Sequence, residues 1–125
     1  MAEPFPQVVD VVNQAGIDAY AELSGDFNPL HVDVEAAAAS EFGGIIAHGP
    51  IALHAFLRAA TEWLCVEALP PGSSVNVTYR APTRPGDAIT AEVREIAERG
   101  DGRHDVVADC VKQDGTTVVS VRAVL

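Results

Sequence analysis

Two hydrophobic rhythms divide the chain, a helical one before Pro70 and an alternating one after it. Val8 to Val12 is a short β-branched run that predicts a first strand. Ile17, Tyr20, Ala21 and Leu23 then recur at helical spacing, and Gly25 supplies a stop. Asp33 to Glu41 predicts a short alanine-rich helix, with Asp33 as its N-cap and its end near Gly43-Gly44. The spacing from Gly49 to about Leu69 predicts a longer helix of an unusual kind. Its polar residues His54, Arg58, Thr61 and Glu62 form one narrow stripe, while Ile51, Leu53, Phe56, Leu57, Ala60, Trp63 and Leu64 cover most of the rest. A helix apolar around most of its circumference must be wrapped by other structure. Pro70-Pro71-Gly72 is the predicted stop.

After that stop the period changes to two. Val75, Val77, Tyr79 and Ala81 fall on one face of a strand, and Ser74, Asn76, Thr78 and Arg80 on the other. Pro82 to Gly86 is a turn, after which Ile89, Ala91 and Val93 alternate with Thr90, Glu92 and Arg94. Gly100 to Gly102 leads into a strand from about His104 to Lys112. Asp114-Gly115 is a two-residue hairpin signal, and a last strand follows from Val118 to Leu125. Four antiparallel strands after one largely apolar helix predict an α+β fold, a curved antiparallel sheet wrapped around a long central helix.

Composition narrows the function classes. The 125 residues suit one domain, 1–125, and 48% hydrophobic with 21% charged residues is the balance of a globular protein. The apolar stretch from Ile45 to Leu69 is interrupted by His48, His54, Arg58, Thr61 and Glu62, which argues against a membrane span. Met1 to Val12 lacks the basic start and apolar run of a signal peptide, so a cytoplasmic location is expected. A net charge of −10 disfavours nucleic acid and anionic membrane as partners, since both need a basic footprint. Cys65 and Cys110 sit in no metal or redox spacing and are expected to be small buried hydrophobes.

Chemistry concentrates in Ser24-Gly25-Asp26-Phe27-Asn28-Pro29-Leu30-His31 and, further on, Ala47-His48-Gly49. Asn28-Pro29 favours a turn that can bring the Asp26 carboxylate and His31 imidazole into one small volume. Such a pair around a shared water suits adding or removing water across a polarised double bond. Gly49 stands at the expected helix start, where free N–H groups and the helix dipole stabilise negative charge. A thioester carbonyl bound there would be polarised. Taken singly, each residue has a plainer use: Asp26 and Ser24 suit turn hydrogen bonds, Asn28 a local turn, His31 a loop contact, and His48 a support at the helix entrance.

Together, Tyr20 to His31, Phe42-Gly43 and Ile46-Ala47-His48-Gly49 resemble the hydratase signature of the MaoC-like, (R)-specific enoyl-CoA hydratase family. Tyr79-Arg80-Ala81-Pro82 and Arg84-Pro85-Gly86-Asp87 resemble its inter-strand turn. The resemblance implies a hot-dog fold and reversible hydration of a trans-2-enoyl thioester to its (R)-3-hydroxyacyl form. It assigns the water to Asp26 and His31 and the carbonyl to the Gly49 N–H, with Ser24, Asn28 and His48 in support. Which of Asp26 and His31 is base and which acid stays open, since the two titrate together. It also implies a homodimer, an acyl-CoA substrate, and no metal or organic cofactor. The acyl pocket is expected at Phe27, Ile51, His54 and Phe56; Trp63 is a further candidate, for which plain core packing is the favoured alternative. Arg80 and Arg84 are candidates for the phosphates of coenzyme A, and ordinary surface charge suits them equally. The acidity of the chain favours coenzyme A over an acidic carrier protein. A non-catalytic hot-dog subunit, an acyl-thioester-binding module or a hot-dog thioesterase are the alternatives. Pro50 and His54 depart from the family pattern and bear on acyl preference rather than on the reaction.

Overall fold

A computed structural model of the chain describes residues 5–125. The element order is β1 (Val9–Val11), α1 (Gln14–Ser24), α2 (Pro29–Val32), α3 (Val34–Ala38), α4 (Gly49–Leu64), β2 (Ser74–Tyr79), β3 (Ala88–Glu98), β4 (His104–Lys112) and β5 (Thr117–Val124). The strands form one antiparallel sheet in the order β1-β3-β4-β5-β2. The consecutive strands β3, β4 and β5 pair as two hairpins. The second turns through Asp114-Gly115, but as a three-residue loop closed by the Lys112 N–H on Thr116 O at 3.0 Å with Gly115 left-handed (φ 86°), not as the expected two-residue turn.

The sheet packs on α4, which touches β1, β3, β4 and β5. Its most buried residues are Ala52, Ala55, Phe56, Ala59 and Ala60, so four of the five contacts are methyl groups that let the strands approach closely. From the sheet come Ile89, Ala91, Val106, Ala108, Cys110, Val119, Val121 and Ala123, alternate residues along their strands. The bulky residues Ile51, Leu53, Leu57, Trp63 and Leu64 are half-buried at the margins of this core. The polar stripe is partly neutralised by β1: Asp10 accepts from His54 Nδ1 at 3.2 Å and Arg58 Nη1 at 3.4 Å.

Several boundaries depart from expectation. Helix α4 stops at Leu64 rather than near Leu69, because Cys65 enters the left-handed region (φ 56°). The Cys65 N–H then bonds Glu62 O at 3.2 Å, and Val66 N–H bonds Thr61 O at 3.0 Å, the double closure of a Schellman end. Cys65 is therefore exposed, not buried, while Cys110 is buried and its thiol is pushed up to about 11, chiefly by burial. The alanine-rich helix is shorter than expected, although Asp33 caps it through Glu35 N and Ala36 N, both at 3.1 Å. A one-turn helix, α2, occupies what reads in sequence as a plain turn. In β3 a register shift between Val93 and Glu95 ends the inward alternation, leaving Ile96 exposed.

Candidate active site

The loop after α1 is assembled from overlapping local caps. Gly25 ends α1 in the left-handed region, its N–H bonded to Ala21 O. Ser24 Oγ donates to Tyr20 O at 2.7 Å and accepts from Asp26 N at 3.2 Å. Asp26 Oδ1 accepts from Asn28 N at 3.1 Å, and Asn28 Oδ1 accepts from Leu30 N at 3.0 Å, capping α2 with Pro29 in its first turn. Three successive side-chain turns wind the segment from Ser24 to Leu30 tightly. The Asp26 carboxylate and the His31 ring consequently face each other, Oδ2 to Nε2, at 3.8 Å.

His31 is buried, and its ring is fixed from behind. Nδ1 lies 2.8 Å from the Ile46 carbonyl, which can only accept, so Nδ1 carries a proton. In the neutral ring Nε2 is then a bare lone pair turned toward Asp26. At 3.8 Å the two acceptors do not bond each other directly. Asp26 is half exposed, so the gap is open to solvent.

His48 joins the pair. Its Nε2 donates to the backbone carbonyl of Asp26 at 2.9 Å, and its ring stacks on His31 with centroids 3.9 Å apart and planes 29° apart. Tyr20 closes the other side of that ring at 4.7 Å. Nδ1 of His48 is buried without a hydrogen-bond partner among the described residues. His48 thus touches both Asp26 and His31. Donor atoms of Asp26, His31 and His48 fall within 4.8 Å of one another. The Nδ1 of His31 and the Nε2 of His48 are each committed to a backbone carbonyl, so each ring has one nitrogen left for a ligand.

Gly49 opens α4 immediately after His48. Pro50 has no N–H, and Ile51 N bonds His48 O at 3.1 Å, so within the first turn Gly49 carries the N–H that neither proline nor this bond removes. The Tyr79 ring fills the space beside Gly49: a Cβ there would meet Tyr79 Cε1 at 2.8 Å and Cζ at 3.0 Å, so a larger residue would have to displace the ring. Gly49, Tyr79 and Arg80 line one cavity of about 300 Å³, together with Ile46, whose carbonyl orients His31.

Other expected site residues disperse. Ile51 and His54 line a cavity of about 470 Å³ between α1, β1 and α4, with Tyr20 and Leu57. Phe27 is 55% exposed over a shallow depression beside Asp18 and Glu22, so it is no part of that cavity. Phe56 is fully buried and stacks near Phe5 in the core; it has no surface to give an acyl chain. Trp63 packs at the core margin against Phe5 and His104. Arg84 is not free for a phosphate, because its Nη2 donates to the Phe42 carbonyl and its guanidinium lies over Gly44. Arg80 donates to Ser120 Oγ at 2.8 Å yet stays at the mouth of the Gly49 cavity. Tyr20 and Tyr79 fall within the segments that resemble the family, but nothing in their spacing signals a place at the site.

Comparison with known proteins places this geometry. A family model described as the MaoC like domain matches residues 3–117. The chain belongs to the MaoC-like family. It is 36% identical over 91 residues to an (R)-specific enoyl-CoA hydratase of Aeromonas caviae, a match covering 70% of this chain and 64% of that protein. It is also 36% identical over 92 residues to a mitochondrial 3-hydroxyacyl-[acyl-carrier-protein] dehydratase of Arabidopsis thaliana, covering 71% and 52%. The chain thus spans less than two thirds of the length of these curated relatives. Its fold matches the solved structure of an (R)-hydratase from A. caviae involved in PHA biosynthesis with a TM-score of 0.84 and 29% identity, over 99% of this chain and 94% of that one. The fold is therefore the hot-dog fold of the MaoC-like proteins, an antiparallel sheet packed on a central helix. No helix among the described residues is long and apolar enough to cross a membrane.

Proposed function

We propose that this chain is a hydro-lyase that adds water reversibly to trans-2-enoyl thioesters, giving (R)-3-hydroxyacyl thioesters. The observation that carries the reading is the 3.8 Å gap between Asp26 Oδ2 and a His31 Nε2 whose proton is held on the opposite nitrogen. A water at about 2.8 Å from each acceptor spans that gap and donates one proton to each. His31 Nε2 takes a proton as the water oxygen bonds to C3, and Asp26 holds the second proton and stabilises the imidazolium. Electron density moves to the thioester oxygen at the Gly49 N–H, and the enolate collapses as His31 returns the proton to C2. The sum is one water added, with the enzyme unchanged, and the chemistry calls for neither metal nor organic cofactor.

The substrate carrier we favour is coenzyme A, since a chain of net charge −10 repels an acidic carrier protein. Arg80 is the cation nearest the Gly49 cavity and the residue to meet the carrier's phosphates. Its range of action is that of one domain paired as a homodimer along the open edge of β2, in the cytoplasm.

The test is hydration of a panel of enoyl-CoA esters of rising chain length, with the stereochemistry of the product determined. Wild type is expected to form the (R)-3-hydroxyacyl ester without releasing free thiol. Asp26→Asn and His31→Ala are each expected to lower kcat by about 10²- to 10⁴-fold, the first at an unchanged melting temperature and the second at a lower one, since it removes a buried, hydrogen-bonded ring. Unchanged turnover in both variants rejects the pair; thiol release by wild type makes the protein a thioesterase.

A further inference from the structure

An oxyanion that develops at α4 meets an unusually sparse helix end. Pro50 removes one N–H from the first turn and Ile51 directs another to His48 O, so within that turn Gly49 carries the N–H that neither proline nor this bond removes. Sites that stabilise a developing enolate oxygen aim more than one donor at it. A second donor must come from outside the helix.

Tyr79, the last residue of β2, stands where it is needed. Alternation along β2 assigns it to the core face with Val75 and Val77, yet it is 52% exposed. Its ring lies instead along Gly49, with Cδ1, Cε1 and Cζ all at 2.8–3.1 Å from the position a Cβ would take. Cζ bears the hydroxyl, so the phenolic O–H is held one bond from that contact. Tyr79 and Gly49 line the same cavity, which also holds Ile46, the residue that orients His31. Burial, and secondarily the neighbouring phenol of Tyr20, push the Tyr79 hydroxyl above its ordinary value of 10.0, so it remains a protonated donor through the neutral range.

We propose that the Tyr79 hydroxyl is a second hydrogen-bond donor to the thioester oxygen, acting beside the Gly49 N–H. The inference rests on the hydratase reading, deepens it by one residue, and leaves the proton on tyrosine throughout turnover. It also gives the glycine at position 49 a reason: the ring that presents the hydroxyl occupies the space of a Cβ.

Tyr79→Phe in the full chain keeps the ring against Gly49 and removes only the donor. We expect kcat/KM to fall about 10- to 100-fold, mostly in kcat, below the largest single-donor effects because water reaches this residue. A second measurement separates hydrogen bonding from packing. A saturated acyl-CoA labelled with ¹³C at the thioester carbon does not react; its resonance is expected to move downfield on binding wild type and to move less on binding Tyr79→Phe. Equal carbonyl shifts in the two proteins overturn the proposal, whatever happens to turnover. If wild type hydrates enoyl-CoA and Tyr79→Phe matches it, this inference falls and the hydratase reading stands. If wild type binds and shifts the saturated ester but never hydrates an enoyl ester, the hydratase reading falls and the carbonyl shift still decides Tyr79.

Discussion

Asp26 and Asp87 are both loop carboxylates, and the contrast between them separates chemistry from architecture. Asp87 is buried in the turn before β3, where it accepts from Arg84 N at 2.8 Å and Gln113 Nε2 at 2.9 Å, with Lys112 Nζ at 3.7 Å. Its backbone carbonyl also receives Val12 N, fastening the end of β1 to the turn. Every side of this group is answered by a donor. Asp26 instead has one oxygen held by Asn28 N and the other facing a nitrogen that has no proton to give in the neutral ring. One carboxylate is closed, the other is left open toward a second acceptor. An acceptor facing an acceptor has no structural use, and a water with two protons is the simplest thing that completes it.

If that contrast is right, removing the two groups must have opposite signatures. Asp87→Ala leaves the Arg84 and Gln113 donors without their acceptor in a buried turn, at a cost of roughly 1–3 kcal/mol. Melting temperature should fall, while turnover at low temperature stays close to wild type, the reverse of Asp26→Asn. The two also differ with pH. Burial alone would raise the Asp87 carboxyl, but the hydrogen bonds from Gln113 and Arg84 N and the charge of Lys112 outweigh it, holding the group below its ordinary 3.8. The folded chain therefore binds this proton less readily than the unfolded chain. Its contribution is complete above 3.8 and is lost as pH falls through the lowered folded value. Stability curves of wild type and Asp87→Ala should converge in strong acid; curves that stay parallel throughout would remove Asp87 from the acid transition.

His48 sharpens the comparison by splitting position from chemistry. It contributes a donor to the Asp26 carbonyl and a ring beneath His31. His48→Phe keeps the ring and loses the donor, and kcat is expected to fall about tenfold, the equivalent of one buried hydrogen bond. His48→Gln restores an amide N–H toward Asp26 and should recover part of that loss with KM unmoved. Near wild-type turnover in His48→Phe with a loss in His48→Gln would assign the effect to the stack rather than to the bond.

What the sequence discloses follows the range of the interaction. The Asp26–His31 pair is legible because Ser24, Asp26 and Asn28 each bond backbone within a few residues, so local turn chemistry alone brings the two side chains together. Strand alternation, the Asp33 cap and the Asp114-Gly115 turn are local in the same sense. The end of α4 is misplaced because apolar residues continue past it, and a left-handed Cys65 carries no glycine signal. Long-range contacts are invisible to spacing: Arg84 reaches Phe42, His54 reaches Asp10, and Tyr79 leaves the core face to cover Gly49. Phe27 and Phe56 mislead for one reason, since aromatic character says nothing about whether a ring faces core, cavity or solvent.

The smallest expected effect falls on the residue that belongs to both sides of the comparison. Asn28 caps α2 through its side chain, as a structural residue does, and its N–H holds Asp26 Oδ1, as a site residue does. Asn28→Ala removes the cap and keeps the N–H, so stability should fall by about 1 kcal/mol. Asp26 keeps its backbone anchor, while α2, which carries His31, is less firmly set. Turnover should therefore drop only a few-fold, and Asn28→Asp, which restores a capping oxygen, should recover stability. That added carboxylate lies close to Asp26 and would be expected to disturb the pair, so rescue of stability without rescue of activity is the informative outcome. It would show that the cap holds the loop together while the charge pattern between Asp26 and His31 does the chemistry.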